Sequence, residues 1–275
     1  MTIDHFTNDC LGVDVSYYQT SIDWHTFQEG GVRFAIIRAS QGNYLQDTRF
    51  HNHLQGAQQA GIICAAYHYF EPNCSVSSQI NTLKTALGNK DVSFLALDVE
   101  QYWKSWAKDL RSQKDNHFSS QFISQSSREM AERMRETWQK PVLIYTRASF
   151  VSEYAPQMSD WLPEWPLWMA HYPYSSAKKT VNWEQLKKDF APPIPNPWLP
   201  QKCSGWKFWQ FSGDKFSLPG VNNSPLDLNF YNGSLQDLQS WLNLPLTPRE
   251  LTFEEKIALL WQAHPQLWQE ENHHE

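Results

Sequence analysis

The stretch Phe94-Leu95-Ala96-Leu97-Asp98-Val99-Glu100 reads as a buried strand that ends in two carboxylates. Side chains alternate faces along a strand, so Asp98 and Glu100 are expected on one side. Two acids held that close repel each other. One keeps its proton toward neutral pH while its neighbour carries charge. Taken alone, the pattern also describes an ordinary strand running into a solvated acidic turn, so the rest of the chain has to decide.

Working outward, similar apolar runs recur at Leu11–Ser16, Phe34–Ser40, Ile62–Phe70, Val142–Thr146 and Leu167–Tyr172. Several are apolar on both faces, as parallel strands covered by helices are. Helix-length segments separate them. In Phe122–Trp138 the residues Phe122, Met130, Met134 and Trp138 are expected to form one apolar stripe, and Pro141 closes the connection to the next strand. Repeated strand–helix units of this kind predict an α/β chain, an irregular TIM-like (β/α) barrel.

The rhythm changes after about Tyr174. The run Ala191-Pro192-Pro193-Ile194-Pro195-Asn196-Pro197-Trp198-Leu199-Pro200 excludes helix and interior strand. Trp206–Ser212 and Pro225–Phe230 read as the last strands, with no helix of normal length between them. The barrel is thus expected to have about eight strands and fewer helices in its second half. Pro245 and Pro248 mark a boundary, which divides the chain into a barrel over 10–243 and a helical tail over 244–275. Within the tail, Thr252-Phe253-Glu254-Glu255 reads as a capping box, and Phe253, Ile257, Leu260 and Trp261 as an apolar stripe. A tail this short does not fold alone, so it is expected to pack on the barrel or a partner chain, or to attach to a cell wall.

Composition narrows the function. The chain has 275 residues, 41% of them hydrophobic, which suffices for a sizeable core. A net charge of −6 without a long basic run argues against a nucleic-acid partner. No run reaches the roughly 20 apolar residues of a membrane span, and residues 1–9 show no signal-peptide pattern. The 14 Trp, 11 Tyr and 15 Phe suit stacking on the apolar faces of sugars, and equally suit core filling. Cys10, Cys64, Cys74 and Cys203 lack zinc-site spacing, and no metal site is expected. Cys10 and Cys203 each precede a strand near the barrel closure, so a disulfide between them is expected. His68 and His171 read as hydrogen-bonded histidines near the core rather than catalysts.

In a parallel β/α barrel the site lies at the C-terminal ends of the strands. Asp14 sits near the end of the first strand, and Asp98 and Glu100 end the fourth. Asp227 lies in the last strand, which closure places beside the first. Four acids around one ring read as an acidic catalytic cleft, with the proton donor and anionic partner that glycosidic bond cleavage requires. Tyr67 and Tyr69 share a strand face, as do Trp168, Ala170 and Tyr172, and these rings either line the mouth or fill the interior.

In their order, these segments resemble the family 25 glycoside hydrolases, the N-acetylmuramidase lysozymes. The resemblance rests on Gly12-Val13-Asp14-Val15-Ser16 with Gln19, Ile22-Asp23-Trp24, Phe34-Ala35-Ile36-Ile37-Arg38-Ala39 and Ala66-Tyr67-His68-Tyr69. It continues through Leu97-Asp98-Val99-Glu100, Ile144-Tyr145-Thr146, Leu167-Trp168-Met169-Ala170-His171-Tyr172, Trp209-Gln210-Phe211-Ser212 and Leu226-Asp227-Leu228-Asn229. It implies cofactor-free hydrolysis of peptidoglycan, outside the cell or at its wall, at the β-1,4 bond from N-acetylmuramic acid to N-acetylglucosamine. Glu100 matches the general acid and Asp98 its acidic neighbour, as stabiliser or nucleophile. Asp14 and Asp227 match the other acids. Tyr67, Tyr145 and Trp168 match groove-lining aromatics, and Tyr69, Tyr172, Trp209 and Arg38 complete the substrate-binding candidates. One departure is Ser40-Gln41-Gly42, where many relatives carry Thr-Glu-Gly. A silent glycan-binding barrel and another glycosidase, such as a chitinase or glucosaminidase, are the alternatives.

Overall fold

Each of the apolar runs forms a strand in the computed structural model, which describes residues 4–222, 225–246 and 253–263. Ten strands occur among these residues: β1 (Cys10–Val15), β2 (Phe34–Gln41), β3 (Leu45–Gln46), β4 (Ile63–Tyr69), β5 (Phe94–Asp98), β6 (Val142–Thr146), β7 (Leu167–Ala170), β8 (Lys179–Thr180), β9 (Phe208–Ser217) and β10 (Leu226–Tyr231). Eight of them close into a barrel, in the order β1, β10, β9, β7, β6, β5, β4, β2 and back to β1. The short β3 and β8 lie outside the ring.

Six consecutive strands, β1 through β7 without β3, pair in parallel, as does β7 with β9. The barrel's irregularity lies at β10, which runs antiparallel to both neighbours. The reason is the connection. Only residues 218–225 separate β9 from β10, and a parallel crossover needs a dozen or more.

The helices follow the same economy of length. The first half carries α2 (Trp24–Glu29), α3 (Phe50–Gln59), α4 (Val76–Leu87) and α5 (Ser120–Trp138), the last of 19 residues. An earlier turn, α1 (His5–Asn8), precedes β1. Later come α6 (Ala148–Tyr154), α7 (Trp183–Asp189) and α8 (Leu235–Trp241), of seven residues each. Ser75 and Ser119 accept backbone N–H groups of α4 and α5 and fix where those helices begin.

Strand parity divides the core into two layers. Cys10, Phe34, Ala65, Phe94, Leu143, Phe208 and Tyr231 fill the barrel interior. Their neighbours in sequence, such as Leu11, Ala35, Leu95, Ile144 and Trp209, face outward under the helices. Gly12 lies inside, where a Cβ would meet the Phe34 ring at 2.3 Å. On α5 the buried stripe is Ile123, Ser127, Met130, Ala131 and Met134. The expected stripe is corrected at Phe122, which is 45% exposed. Eight residues before Met130, it points about 80° away at 100° per residue.

The expected disulfide is absent: all four cysteines are free. β10 lies between β1 and β9, so Cys10 and Cys203 do not flank adjacent strands. In the tail, α9 (Phe253–Ala263) is helical as expected. Phe253, Ile257, Leu260 and Trp261 are exposed, Ile257 least at 37% and Phe253 most at 74%. Thr252 of the expected capping box lies outside the described residues.

Candidate active site

The reversed β10 is what brings the acids together. Asp227 stands at its start and pairs in register with Asp14, near the end of β1. Both therefore lie at the mouth where the parallel strands end. On the other side of that mouth, β5 stops at Asp98, and Glu100 sits two residues into the following loop. Asp98 shares the inward parity of Phe94 and Ala96 and is 7% exposed. Glu100 leaves 29% of its side chain open to solvent.

The four carboxyls are not held alike. Asp14 Oδ1 accepts two amide N–H groups, from Gln210 Nε2 at 2.8 Å and Asn229 Nδ2 at 2.7 Å. Asp227 Oδ1 accepts the Asp214 backbone N–H at 2.7 Å. Asp98 Oδ1 is buried without a donor among the described residues. Glu100 faces Arg147 at 3.8 Å.

Burial disfavours the charged form of each. It pushes Asp14 up to about 6, against the pull of the Asn229 and Gln210 hydrogen bonds. Burial also lifts Asp98 well above the usual carboxylate range, with Glu100 and Asp14 adding repulsion. Asp227 rises for the same two reasons, burial first and then Asp14. Glu100 is raised by burial and held back by Arg147. Acids whose proton affinity burial raises are suited to holding and donating protons.

The aromatic candidates separate by parity. Tyr67, Tyr145 and Trp168 face inward and form the floor of the mouth, with Tyr145 and Trp168 ring centres 4.5 Å apart. Trp168 is only 2% exposed and donates its indole N–H to Asn229 Oδ1 at 2.7 Å. Tyr172, half open to solvent, donates to Gln210 Oε1 at 2.6 Å, and Tyr145 donates to the same oxygen at 2.8 Å. Tyr69 is buried near Trp106 on the Glu100 side.

Trp209 is the exception. It faces outward, fully buried, and donates to the His171 carbonyl at 2.8 Å. The inward position on that strand belongs to its neighbour Gln210. Arg38 lies inside, bonded to Asp47 at 2.9 Å and stacked on Tyr17 at 4.5 Å. It borders a cavity of about 450 Å³ that also touches Asp14, Tyr18, Tyr67, Lys178, Asp214 and Asp227.

Several residues at the mouth were not singled out in the sequence. Gln210 and Asn229 were quoted only as parts of motifs, although inward parity beside Asp14 marks both. Arg147 directly follows β6, a position that points to the mouth. Arg111 stacks on Trp103 and Trp106 at 4.7 and 5.2 Å and stiffens the loop after Glu100. At the departure Ser40-Gln41-Gly42, Gln41 and Tyr44 both donate to buried Glu71 Oε1, at 2.8 and 2.6 Å. A carboxylate thus sits beside this turn after all, supplied from just past β4. His68 is buried between Ser40 and Gln79, and His171 accepts the Trp198 N–H. Among the described residues, no His, Cys, Asp and Glu cluster has the arrangement to hold a metal ion.

An acid-ringed mouth on a mixed eight-stranded β/α barrel defines a glycoside hydrolase. Comparison with known proteins agrees: residues 13–221 match the family described as Glycosyl hydrolases family 25, and the chain belongs to that family. The Escherichia coli K12 protein YegX, itself uncharacterised, is 32% identical over 84% of this chain and 73% of its own length. Lysozyme M1 of Streptomyces globisporus is 26% identical over 86% of this chain and 72% of its own. Among solved structures, the bacterial lysozyme of Streptomyces coelicolor superposes with a TM-score of 0.65 at 26% identity, covering 85% of this chain and 96% of that one. A family 25 glycosyl hydrolase from Bacillus anthracis shares the fold at a TM-score of 0.65 and 20% identity, covering 90% and 97%.

Proposed function

We propose that this enzyme is a peptidoglycan muramidase that acts at the cell wall and hydrolyses the β-1,4 bond from N-acetylmuramic acid to N-acetylglucosamine. The observation that carries the reading is the pairing of solvent-reachable Glu100 with buried Asp98 at the barrel mouth, in a family whose relatives are named lysozymes. Glu100 has the exposure to meet a leaving-group oxygen and the raised proton affinity to arrive protonated. As the bond breaks, Arg147 steadies the carboxylate that remains.

Asp98 is the partner on the sugar side. Its Oδ1 lacks a donor among the described residues. The N–H of a substrate 2-acetamido group would supply one and favour the ionised form in the complex. That favours orientation of the sugar's own amide over direct attack by Asp98, the other route open to a retaining enzyme. Tyr67, Tyr145, Tyr172 and Arg38 line the sugar-binding floor and wall.

Glu100→Gln is expected to lower clearing of purified cell walls by roughly 10²–10⁴-fold with an unchanged melting temperature. A silent glycan-binding barrel would show no clearing in either form. The new reducing end in digested peptidoglycan tests the bond. Muramic acid at that end supports a muramidase, and glucosamine would mark a glucosaminidase instead.

A further inference from the structure

Asp14 is surrounded by groups of both charges. Asp227 from β10, Asp214 from β9, and Asp98 and Glu100 from the β5 end are the acids that act on it or are acted on by it. Tyr67 from β4 and Tyr172 beyond β7 sense its charge, while Arg38 from β2 and Lys178 border the same cavity. Neutral and ionised carboxyls must coexist in such a ring, because like charges this close do not all ionise. Hydrogen-bond donors choose which one ionises first.

The donors are distributed unevenly. Among the described residues, Asp14 Oδ1 receives two, Asp227 Oδ1 receives one, and Asp98 Oδ1 receives none. Both donors to Asp14 are amides whose orientation is set at the far end. Asn229 Oδ1 accepts the Trp168 indole N–H, and an indole N–H only donates. The Asn229 oxygen must therefore face Trp168, which turns its NH₂ toward Asp14. Gln210 Oε1 accepts the hydroxyls of Tyr145 and Tyr172, which turns its NH₂ the same way. Asn229 cannot turn its oxygen to Asp14 without leaving the Trp168 N–H unpaired, whereas the tyrosine hydroxyls, which donate and accept, fix Gln210 less strictly.

We infer that Gln210 and Asn229 are positioning residues that place the resting negative charge of the ring on Asp14, leaving Asp98 and Asp227 protonated until substrate binds. This deepens the muramidase reading and rests on it for the chemistry, but the charge assignment stands on the free protein. Asp14 is also the one of the three buried aspartates whose proton affinity two side-chain hydrogen bonds pull back down toward the ordinary carboxylate range. An anion at Asp14 opposes ionisation of Asp98, so the proton that Asp98 must shed is lost only when a substrate donor arrives.

The test is a ¹³C carboxyl titration of the full chain labelled in aspartate, with signals assigned through Asp14→Asn, Asp98→Asn and Asp227→Asn. In the unsubstituted protein, Asp14 is expected to ionise at the lowest pH of the three. Gln210→Met, which removes one donor at similar length, is expected to raise the Asp14 midpoint by about one pH unit. The acidic limb of the kcat/KM profile should move to higher pH with it, with KM within about twofold, as loss of a charge-setting donor requires. Asp98 or Asp227 ionising first in the unsubstituted protein overturns the inference. So does a folded Gln210→Met protein whose Asp14 midpoint and acidic limb both stay in place. Retained clearing by Glu100→Gln would sink the muramidase mechanism while leaving the titration order untouched, so the two failures are distinguishable.

Discussion

At the scale of single residues, Asp98 shows what a buried carboxylate in the candidate site costs in stability. It is 7% exposed, and Oδ1 lacks a donor among the described residues. Its proton affinity is raised well above the usual range by burial and by Glu100 and Asp14. Above the ordinary aspartate range, the folded state then binds more protons than the unfolded one, and stability falls as pH rises toward neutrality. Asparagine does not titrate. Asp98→Asn is therefore expected to raise the melting temperature, by more at pH 8 than at pH 5, with roughly 2–4 °C for each kcal/mol gained. Thermal melts at the two pH values check this, and a shift of equal size at both would show that Asp98 does not titrate abnormally. The cysteines give a second residue-level expectation. Burial pushes the Cys10 and Cys64 thiols up to about 12, so both are protonated and unreactive. Alkylation without reductant should modify all four cysteines in denaturant, and in the folded protein Cys74 and Cys203 well before Cys10 and Cys64, as read by mass spectrometry.

Elements show where a period, rather than a composition, sets the packing. On α5, residues 123, 127, 130 and 134 follow the helical repeat and are buried, whereas Phe122 sits off that line and is 45% exposed. Met134→Ala is expected to cost about 2–5 kcal/mol, as a truncated, fully buried methionine does. Phe122→Ala should stay within about 0.5 kcal/mol. Denaturant unfolding of the two proteins separates them, and similar losses would mean that the stripe is misplaced. On β9 the period is two, and it gives adjacent residues opposite tasks. Trp209 packs outward with Trp206 and Phe230, while Gln210 reaches Asp14.

For the molecule as a whole, the barrel closes without the tail. Every strand of the ring lies within residues 10–231, and α8 caps it by residue 241. Within 247–275 the described residues form α9, whose large apolar side chains are exposed. Truncation tolerance follows burial and hydrogen bonding of the removed segment. Removing residues 247–275 is expected to leave the melting temperature and wall hydrolysis unchanged. A large drop in either, measured on the shortened protein, would show that the tail supports the barrel or the cleft.

The sequence by itself determined the elements and the acids. Apolar runs of strand length, helix-length segments between them and a proline-rich break are local features, and local features survive without neighbours. So are the carboxylates at the strand ends, although the Asp-x-Glu took its catalytic meaning only from the other acids and strands around it. Tertiary structure decided the direction of β10, the outward turn of Trp209, the free state of Cys10 and Cys203, and the donors on Asp14. Each depends on which strand lies beside which, and on the parity that pairing imposes. Asp14 and Gln210 stand 196 positions apart in the chain and 2.8 Å apart in the fold, a relation that no local pattern encodes.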